Sequence, residues 1–327
     1  MIVDADRVKP EEAGYFTMKE IIAVAGPTAS GKSALALAIC EKYGGELVSV
    51  DSMQVYRGMD IGTAKPDESE RARVPHHLID ICSPEEAFSA ADFAVRAHRT
   101  IADIKSRGAI PVLCGGTGLY MDTVTARLPF SESERNPVLR EELRRIADER
   151  GTHELWCMLE KLDPHAASGI HENNIKRVIR AIEICKSGMT KTESDAKAKA
   201  AANPYDALII ALGVRDREVL YERINRRVDK MLETGLAEET RRLWESGCLT
   251  TNTTAACAIG YKELLPWICG EKTLDECAAE LKRATRRYAK RQLTWFSASE
   301  RANRFYIDDY ADENELAKAV FALIDRS

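Results

Sequence analysis

Gly26-Pro-Thr-Ala-Ser-Gly-Lys-Ser33 follows the apolar run Ile21-Ile-Ala-Val-Ala25 and leads into Ala34-Leu-Ala-Leu-Ala-Ile39. The order is strand, glycine loop, helix. The spacing G-x-x-x-x-G-K-[ST] is that of a phosphate-binding loop running Gly26, Pro27, Thr28, Ala29, Ser30, Gly31, whose glycines let backbone N–H groups turn inward on an anion; Pro27, with no N–H, only shapes the turn. Lys32 adds a point charge, and the Ser33 hydroxyl can reach a magnesium ion. A glycine turn that merely fits the spacing is the competing reading, and the flanking strand and helix speak against it. The loop alone does not name the phosphorylated molecule it holds.

Working outward, the first helix is expected to run to about Tyr43 and to stop at Gly44-Gly45. Glu46-Leu-Val-Ser-Val50 then reads as a second strand with Asp51 at its carboxyl end. Ligands of open α/β sheets sit beyond the carboxyl ends of strands, so Asp51 and the glycine loop should face one crevice. Asp51 to Pro66 has neither helical nor strand period and contains Gly58, Gly62 and Pro66. It reads as a long ordered loop, which in a compact domain is usually functional. In Pro75-His-His-Leu-Ile-Asp80 the two histidines lack a third metal ligand at sensible spacing, so a structural or substrate-positioning role is expected.

Ser89 caps a helix running to Arg107, with Phe93, Ala97, Ile101 and Ile104 on one face. Ile110-Pro-Val-Leu-Cys114 is a third strand, ending in a second glycine turn, Gly115-Gly-Thr-Gly-Leu-Tyr120. From Ser131 to Asn203 there is no strand candidate, only charged amphipathic helices such as Asn136 to Arg150 and Ile175 to Ser187. The tail of this stretch, Thr190 to Asn203, is rich in Lys, Ala, Ser and Thr and reads as mobile. The sheet resumes with Ala207 to Val214. Leu220, Ile224, Val228 and Leu232 then mark a buried helix face, with Arg223 and Arg227 one turn apart beside it. Two guanidinium groups so spaced can clamp one polyanion or pair with nearby acids such as Glu222 and Asp229; the spacing leaves both open. A long helix from Leu274 to Ser297, a strand at Arg304 to Ile307 and a helix from Glu313 to Ile324 complete the chain.

These five strands and their crossovers give the expected fold: an α/β, P-loop NTPase-like parallel sheet with helices on both faces, plus an inserted all-helical domain. The expected organisation is an N-terminal extension (1–19), the first part of the core (20–130), the insertion (131–203) and the second part of the core (204–327). Residues 1–19 carry no pattern and read as dispensable. No run approaches the roughly 18 apolar residues of a membrane helix, and the first residues lack a signal-peptide pattern. A cytoplasmic, membrane-free protein is therefore expected. The nine cysteines include no C-x-x-C pair and no zinc spacing, so they read as reduced, mostly buried thiols.

The net charge of −5 argues against a nucleic-acid partner, but its distribution argues the other way. Between Leu281 and Asn303 stand Lys282, Arg283, Arg286, Arg287, Lys290, Arg291 and Arg301 against Glu300 alone. Such a face can hold a phosphate backbone locally, or it can be a solvated helix face.

Taken in order, Gly26 to Ser33, Asp51-Ser-Met-Gln54 through Gly62-Thr-Ala-Lys-Pro66, Pro75 to Asp80, Gly115 to Tyr120, Ile259-Gly-Tyr-Lys262 and Tyr288-Ala-Lys-Arg-Gln-Leu-Thr-Trp-Phe296 resemble the tRNA dimethylallyltransferases, or tRNA isopentenyltransferases. The resemblance spans about residues 20 to 300. It implies transfer of a dimethylallyl group from its pyrophosphate to N6 of the adenosine 3′ of a tRNA anticodon, with Mg2+ as cofactor and the anticodon stem-loop as partner. An exocyclic amine is a poor nucleophile and needs a carboxylate to take its proton; Asp51 is the candidate. The resemblance makes Thr28 a hydrogen-bonding partner of the donor's bridging oxygen, Ser33 a metal ligand, and Arg223 and Arg227 a pyrophosphate clamp. It aligns Ser52, Met53, Gln54 and Thr117 with the approach of a flipped-out base. RNA contacts are implied for Arg140, Lys176, Arg177, Arg180, Gly260, Tyr261, Lys262, Lys290, Arg291, Gln292 and Trp295. Ser297 departs from the pattern, where many relatives carry arginine. A monomer is expected, because one chain supplies every part. A small-molecule kinase, a prenyltransferase of free adenine nucleotides and a non-catalytic RNA-binding protein remain as rivals. The first two leave the basic helix without a purpose, and the third leaves Asp51 without one.

Overall fold

The computed structural model describes residues 19–126, 136–200, 202–249 and 254–327. The expected N-terminal extension lies outside them except for its last residue. Strands are β1 Ile21–Ala25, β2 Gly45–Ser49, β3 His76–His77, β4 Ile110–Gly115, β5 Ala207–Gly213 and β6 Ala302–Tyr306. Helices are α1 Lys32–Tyr43, α2 Glu68–Arg73, α3 Ala90–Ser106, α4 Gly118–Thr125, α5 Pro137–Arg150, α6 Thr152–Leu162, α7 Pro164–Ser168, α8 Ile175–Lys186, α9 Lys191–Ala200, α10 Arg217–Glu233, α11 Leu236–Glu245, α12 Leu265–Ile268, α13 Leu274–Ser297 and α14 Glu313–Ile324. Among the described residues these form two compact units, one of 19–87, 100–118 and 206–327, the other of 88–99 and 119–205.

The first unit holds a six-stranded, all-parallel sheet in the order β3-β2-β4-β1-β5-β6. The five expected strands are all present; the sixth is the two-residue β3, too short to show a period. Parallel strands need helices on both faces, and β1 is accordingly buried along its whole length. On one face Ile22 and Val24 join Val112, Ile210 and Leu212 under Leu35, Leu37 and Ile39 of α1 and Leu316, Val320 and Ile324 of α14. β1 is central, so the loops leaving β1, β2 and β4 open at one edge of the sheet. The first helix starts and ends on left-handed glycines, Gly31 at φ 82° and Gly44 at φ 65°. Helix α13 has the expected bounds and begins with a capping box, Thr273 with Glu276.

The second unit is helical, with Leu143, Leu155, Leu159, Val178 and Ile182 in its core. It takes in the described part of the segment expected as an insertion, and also 88–99 and 119–126. Within it, the tail expected to be mobile contains α9. Alanine and lysine favour helix, and Thr190 and Glu193 cap each other reciprocally, with N···O distances of 2.9 and 3.1 Å. Buried Asp163 then anchors the start of α9, accepting from Thr192 N–H at 2.8 Å and from its hydroxyl at 2.7 Å. No helix among the described residues is long and apolar enough to cross a membrane.

Candidate active site

A cavity of about 570 Å3 opens inside the first unit at the carboxyl ends of β1, β2 and β4. Thr28, Lys32 and Ser33 line it from the glycine loop and Asp51, Ser52 and Met53 from the end of β2, with Arg227 reaching in from α10. Ile224, Val228, Met231, Leu281, Leu37 and Ile79 supply an apolar wall. An anion-binding end and an apolar side therefore share one space.

The loop is shaped by backbone that only a supported structure tolerates: Ala29 has φ 63°, in the left-handed region that disfavours alanine. The Lys32 ammonium donates to the Pro27 carbonyl at 3.2 Å. Burial pulls the Lys32 pKa down from its usual value, Arg227 adds to the effect, and Cys114 and Asp51 oppose it. Arg227 is lowered by burial too, against the pull of Asp51. An anion arriving between these cations would relieve both. Cys114, at the end of β4, donates its thiol to the Lys32 carbonyl at 3.6 Å, and burial pushes that thiol up to about 11. It is a packing residue and no nucleophile at neutral pH.

Asp51 spends one oxygen on its own turn: Oδ1 accepts from Met53 N–H at 2.8 Å and more weakly from Gln54 N–H at 3.4 Å. Oδ2 takes no hydrogen bond among the described residues. Tyr288 stands near it, its phenol raised to about 12 by burial and by the Asp51 charge. No three His, Cys, Asp or Glu side chains gather into a metal cage among the described residues. What the cavity offers a metal is hard oxygen, the Ser33 hydroxyl and the Asp51 carboxylate. That set suits a magnesium ion, which keeps several waters and takes its other ligands from substrate phosphates.

The expected clamp is resolved by partners. Arg227 lines the cavity, whereas Arg223 donates to Glu313 at 3.3 Å and does not line it. Several residues expected to meet RNA are engaged inside the protein. Tyr261 is fully buried; its hydroxyl donates to Glu239 at 2.7 Å and its ring fills the space that a Cβ on Gly62 would occupy, 2.5 Å away. Gln292 is also buried, with both ends of its amide used. Both side chains are engaged inside the protein: the Tyr261 hydroxyl is spent on Glu239, and Gln292, 5% exposed where it lines the cavity, gives Oε1 to Thr28 and one Nε2 hydrogen to Gly116. Gln54 braces its loop, accepting from the Ser49 hydroxyl at 2.7 Å and donating to the Thr63 and Ala64 carbonyls at 3.2 and 3.0 Å. Thr117 accepts from Ser52 N–H at 3.1 Å.

Gly260, Lys262 and Arg291 line the cavity, and Lys290 opens on a separate cleft of about 210 Å3 beside Arg217 and Arg304. Trp295 packs on Gly118 with 39% of its surface exposed. In the second unit Arg140 forms a two-point pair with buried Glu183, both contacts 2.7 Å, and Arg180 reaches the same carboxylate at 3.4 Å. Lys176 and Arg177 are exposed on α8. His77 bonds Glu46 at 2.6 Å, and His76 donates from Nδ1 to the Val74 carbonyl at 2.9 Å, which fits a positional role.

Sequence reasoning missed Glu239. It is 3% exposed and accepts from the backbone N–H groups of Asp60 (3.2 Å), Ile61 (3.0 Å) and Gly62 (3.1 Å) as well as from Tyr261. Its signal was an acid at helical spacing beside the apolar positions Leu236, Ala237 and Leu243.

Comparison with known proteins bears on this geometry. The family model described as IPP transferase matches residues 54–299. A tRNA dimethylallyltransferase of Caldanaerobacter subterraneus is 42% identical over 304 residues, covering 92% of this chain and 96% of the relative. That of Halalkalibacterium halodurans is 47% identical over 281 residues, covering 85% of this chain and 88% of the relative. Among solved structures, the full-length tRNA isopentenylpyrophosphate transferase of Bacillus halodurans superimposes with a TM-score of 0.69 at 42% identity, covering 93% of this chain and 95% of its own. A eukaryotic dimethylallyltransferase described as acting on tRNA gives 0.78 at 31% identity, covering 92% and 77%. With a glycine loop, a facing carboxylate and an apolar wall around one cavity, and with relatives alike over most of their length, the chain belongs to the IPP transferase family.

Proposed function

We propose that this transferase moves a dimethylallyl group from dimethylallyl pyrophosphate to N6 of the adenosine 3′ of the anticodon in tRNA. The observation that supports it most is the convergence of Lys32, Ser33, Arg227 and Asp51 on a cavity with an apolar wall. In the step itself, the bond from N6 to the donor's C1 forms as the C1–O bond breaks. The electron pair of that bond leaves on pyrophosphate, and the N6 proton passes to Asp51 Oδ2. Lys32 and Arg227 face the charge that grows on the leaving group, and in a partly dry site such contacts are worth more than in water. A magnesium ion, if held by the Ser33 hydroxyl, would neutralise further charge on the pyrophosphate. The apolar wall receives the prenyl tail and keeps water from the allylic carbon.

RNA contacts are assigned to exposed cations and cavity-edge groups: Lys262, Arg291 and Lys290 on the first unit, Lys176 and Arg177 on the second. The buried Tyr261 and Gln292 hold the framework. A monomer in the cytoplasm suits a chain that carries every group the reaction needs.

The test is direct. Incubated with magnesium and labelled dimethylallyl pyrophosphate, the protein should label tRNA and leave AMP, ADP and ATP unlabelled. Label on free nucleotides alone, or on neither, ends the proposal. Asp51→Asn should lower turnover by at least about 100-fold while leaving tRNA affinity within a few-fold. Turnover kept within a few-fold of the unchanged protein would remove Asp51 as the base.

A further inference from the structure

Gln292, on α13, bonds to both glycine turns. Its Oε1 accepts from the Thr28 N–H at 2.9 Å and its Nε2 donates to the Gly116 carbonyl at 2.9 Å. An N–H can only donate and a carbonyl only accept, so the partners fix which end of the amide is which. The fit has no slack, because a Cβ on Gly116 would stand 2.1 Å from Nε2. Thr28 immediately precedes Ala29, the loop residue held at positive φ, so the peptide that Gln292 grips adjoins the strained one. Strain of that kind persists only where the surroundings over-determine it. The loop does not satisfy itself, since the buried Ser30 hydroxyl has no partner among the described residues.

We infer that Gln292 is a positioning residue of the phosphate-binding loop: its carboxamide, carried on the basic helix, fixes the Thr28 and Gly116 peptides in the register that receives the donor's pyrophosphate. The inference rests on the reading of the cavity as a prenyl-pyrophosphate site. It assigns the residue to donor binding and removes it from RNA recognition. It also makes α13 a single rigid part, with Arg291 at the cavity and Gln292 setting the loop beneath it.

Titration of the full chain with magnesium pyrophosphate provides the test, alongside the kinetics of transfer. Gln292→Met keeps length and volume but neither hydrogen bond. It should weaken pyrophosphate about tenfold and raise the donor KM by a similar factor, while the tRNA KM stays within about twofold. Unchanged pyrophosphate affinity, or a shift in the tRNA KM alone, overturns the assignment. Should Gln292→Met lose its cooperative melt, Gln292→Glu decides by itself. A carboxylate there keeps the acceptor for Thr28 but opposes the Gly116 carbonyl; protonation restores a donor. Its pyrophosphate affinity, taken as a ratio to that of the unchanged protein, should therefore recover as pH falls from about 8 to about 5, through the carboxyl's titration. A ratio flat with pH refutes the bracket. Because pyrophosphate binding needs no prenyl transfer, a chain that binds pyrophosphate but labels no tRNA would end the functional proposal while leaving this comparison valid.

Discussion

Arg223 and Arg227 carry the same charge one helical turn apart, and what stands opposite each decides its work. Arg227 enters the cavity, where burial holds its pKa below the usual guanidinium value and Asp51 is the main opposing charge. Arg223 spends its charge on Glu313, whose carboxylate lies 3.3 Å from where a Cβ on Gly31 would sit. Arg227→Gln should thus raise the donor KM by about 10- to 100-fold, and Arg223→Gln by no more than about threefold. Steady-state kinetics on the two variants decide this, and the reverse ranking would refute it. The pair was legible in the sequence as two equivalent candidates. Their difference was not, because Glu313 is 90 residues away along the chain and reaches Arg223 only through the packing of α14 on the sheet. Asp51 was legible for the opposite reason: its partners are two and three residues further on, and its place at a strand end follows from local pattern alone.

At the scale of the element, the loop from Asp51 to Pro66 behaves as a built part although it has no regular structure. Lys65, with 2% of its side chain exposed, ties it together by donating to the Tyr56 carbonyl at 2.6 Å and pairing with Asp60 and Asp80. Glu239 of α11 ties it to the rest of the unit through three backbone N–H groups. Removing that carboxylate takes the partner from the buried Tyr261 hydroxyl and from three part-buried backbone donors. Glu239→Ala should cost about 3–5 kcal/mol, more than the typical core truncation of comparable size, because each orphaned donor carries its own desolvation penalty. Urea denaturation followed by circular dichroism measures it; a loss under about 1 kcal/mol would show that the loop is held by Lys65 and Gln54 instead. That the loop is ordered could be read from its composition and length. What orders it could not, since side-chain-to-backbone bonds across some 180 residues leave no period in the sequence. The acid beside the apolar positions of α11 was the one visible trace.

At the scale of the molecule, the two units have separate cores, and buried carboxylates brace the second as Glu239 braces the first. In the second unit two nearly buried carboxylates do structural work. Asp163 accepts from the Ala166 N–H, the Thr192 N–H and the Thr192 hydroxyl; Glu183 holds Arg140 at two points. Burial alone would raise both carboxyl pKa values, but the hydrogen bonds outweigh it and hold both below their ordinary values of 3.8 and 4.5. A carboxyl whose folded pKa is depressed contributes stability that is complete above its unfolded pKa and is lost as pH falls through the folded one. The second unit should therefore keep its stability down to about pH 5 and lose it progressively below about pH 4. Trp156 reports on this unit, with its indole N–H bonded to the Ala167 and Ile170 carbonyls at 3.2 and 2.8 Å. In protein labelled with 5-fluorotryptophan, the Trp156 resonance should shift to its unfolded position as acid is added. In the double variant Asp163→Asn, Glu183→Gln the unit should be less stable at neutral pH, and its acid limb should flatten because the groups that took up the protons are gone. An acid limb as steep in the variant as in the unchanged protein would place the acid sensitivity on other groups.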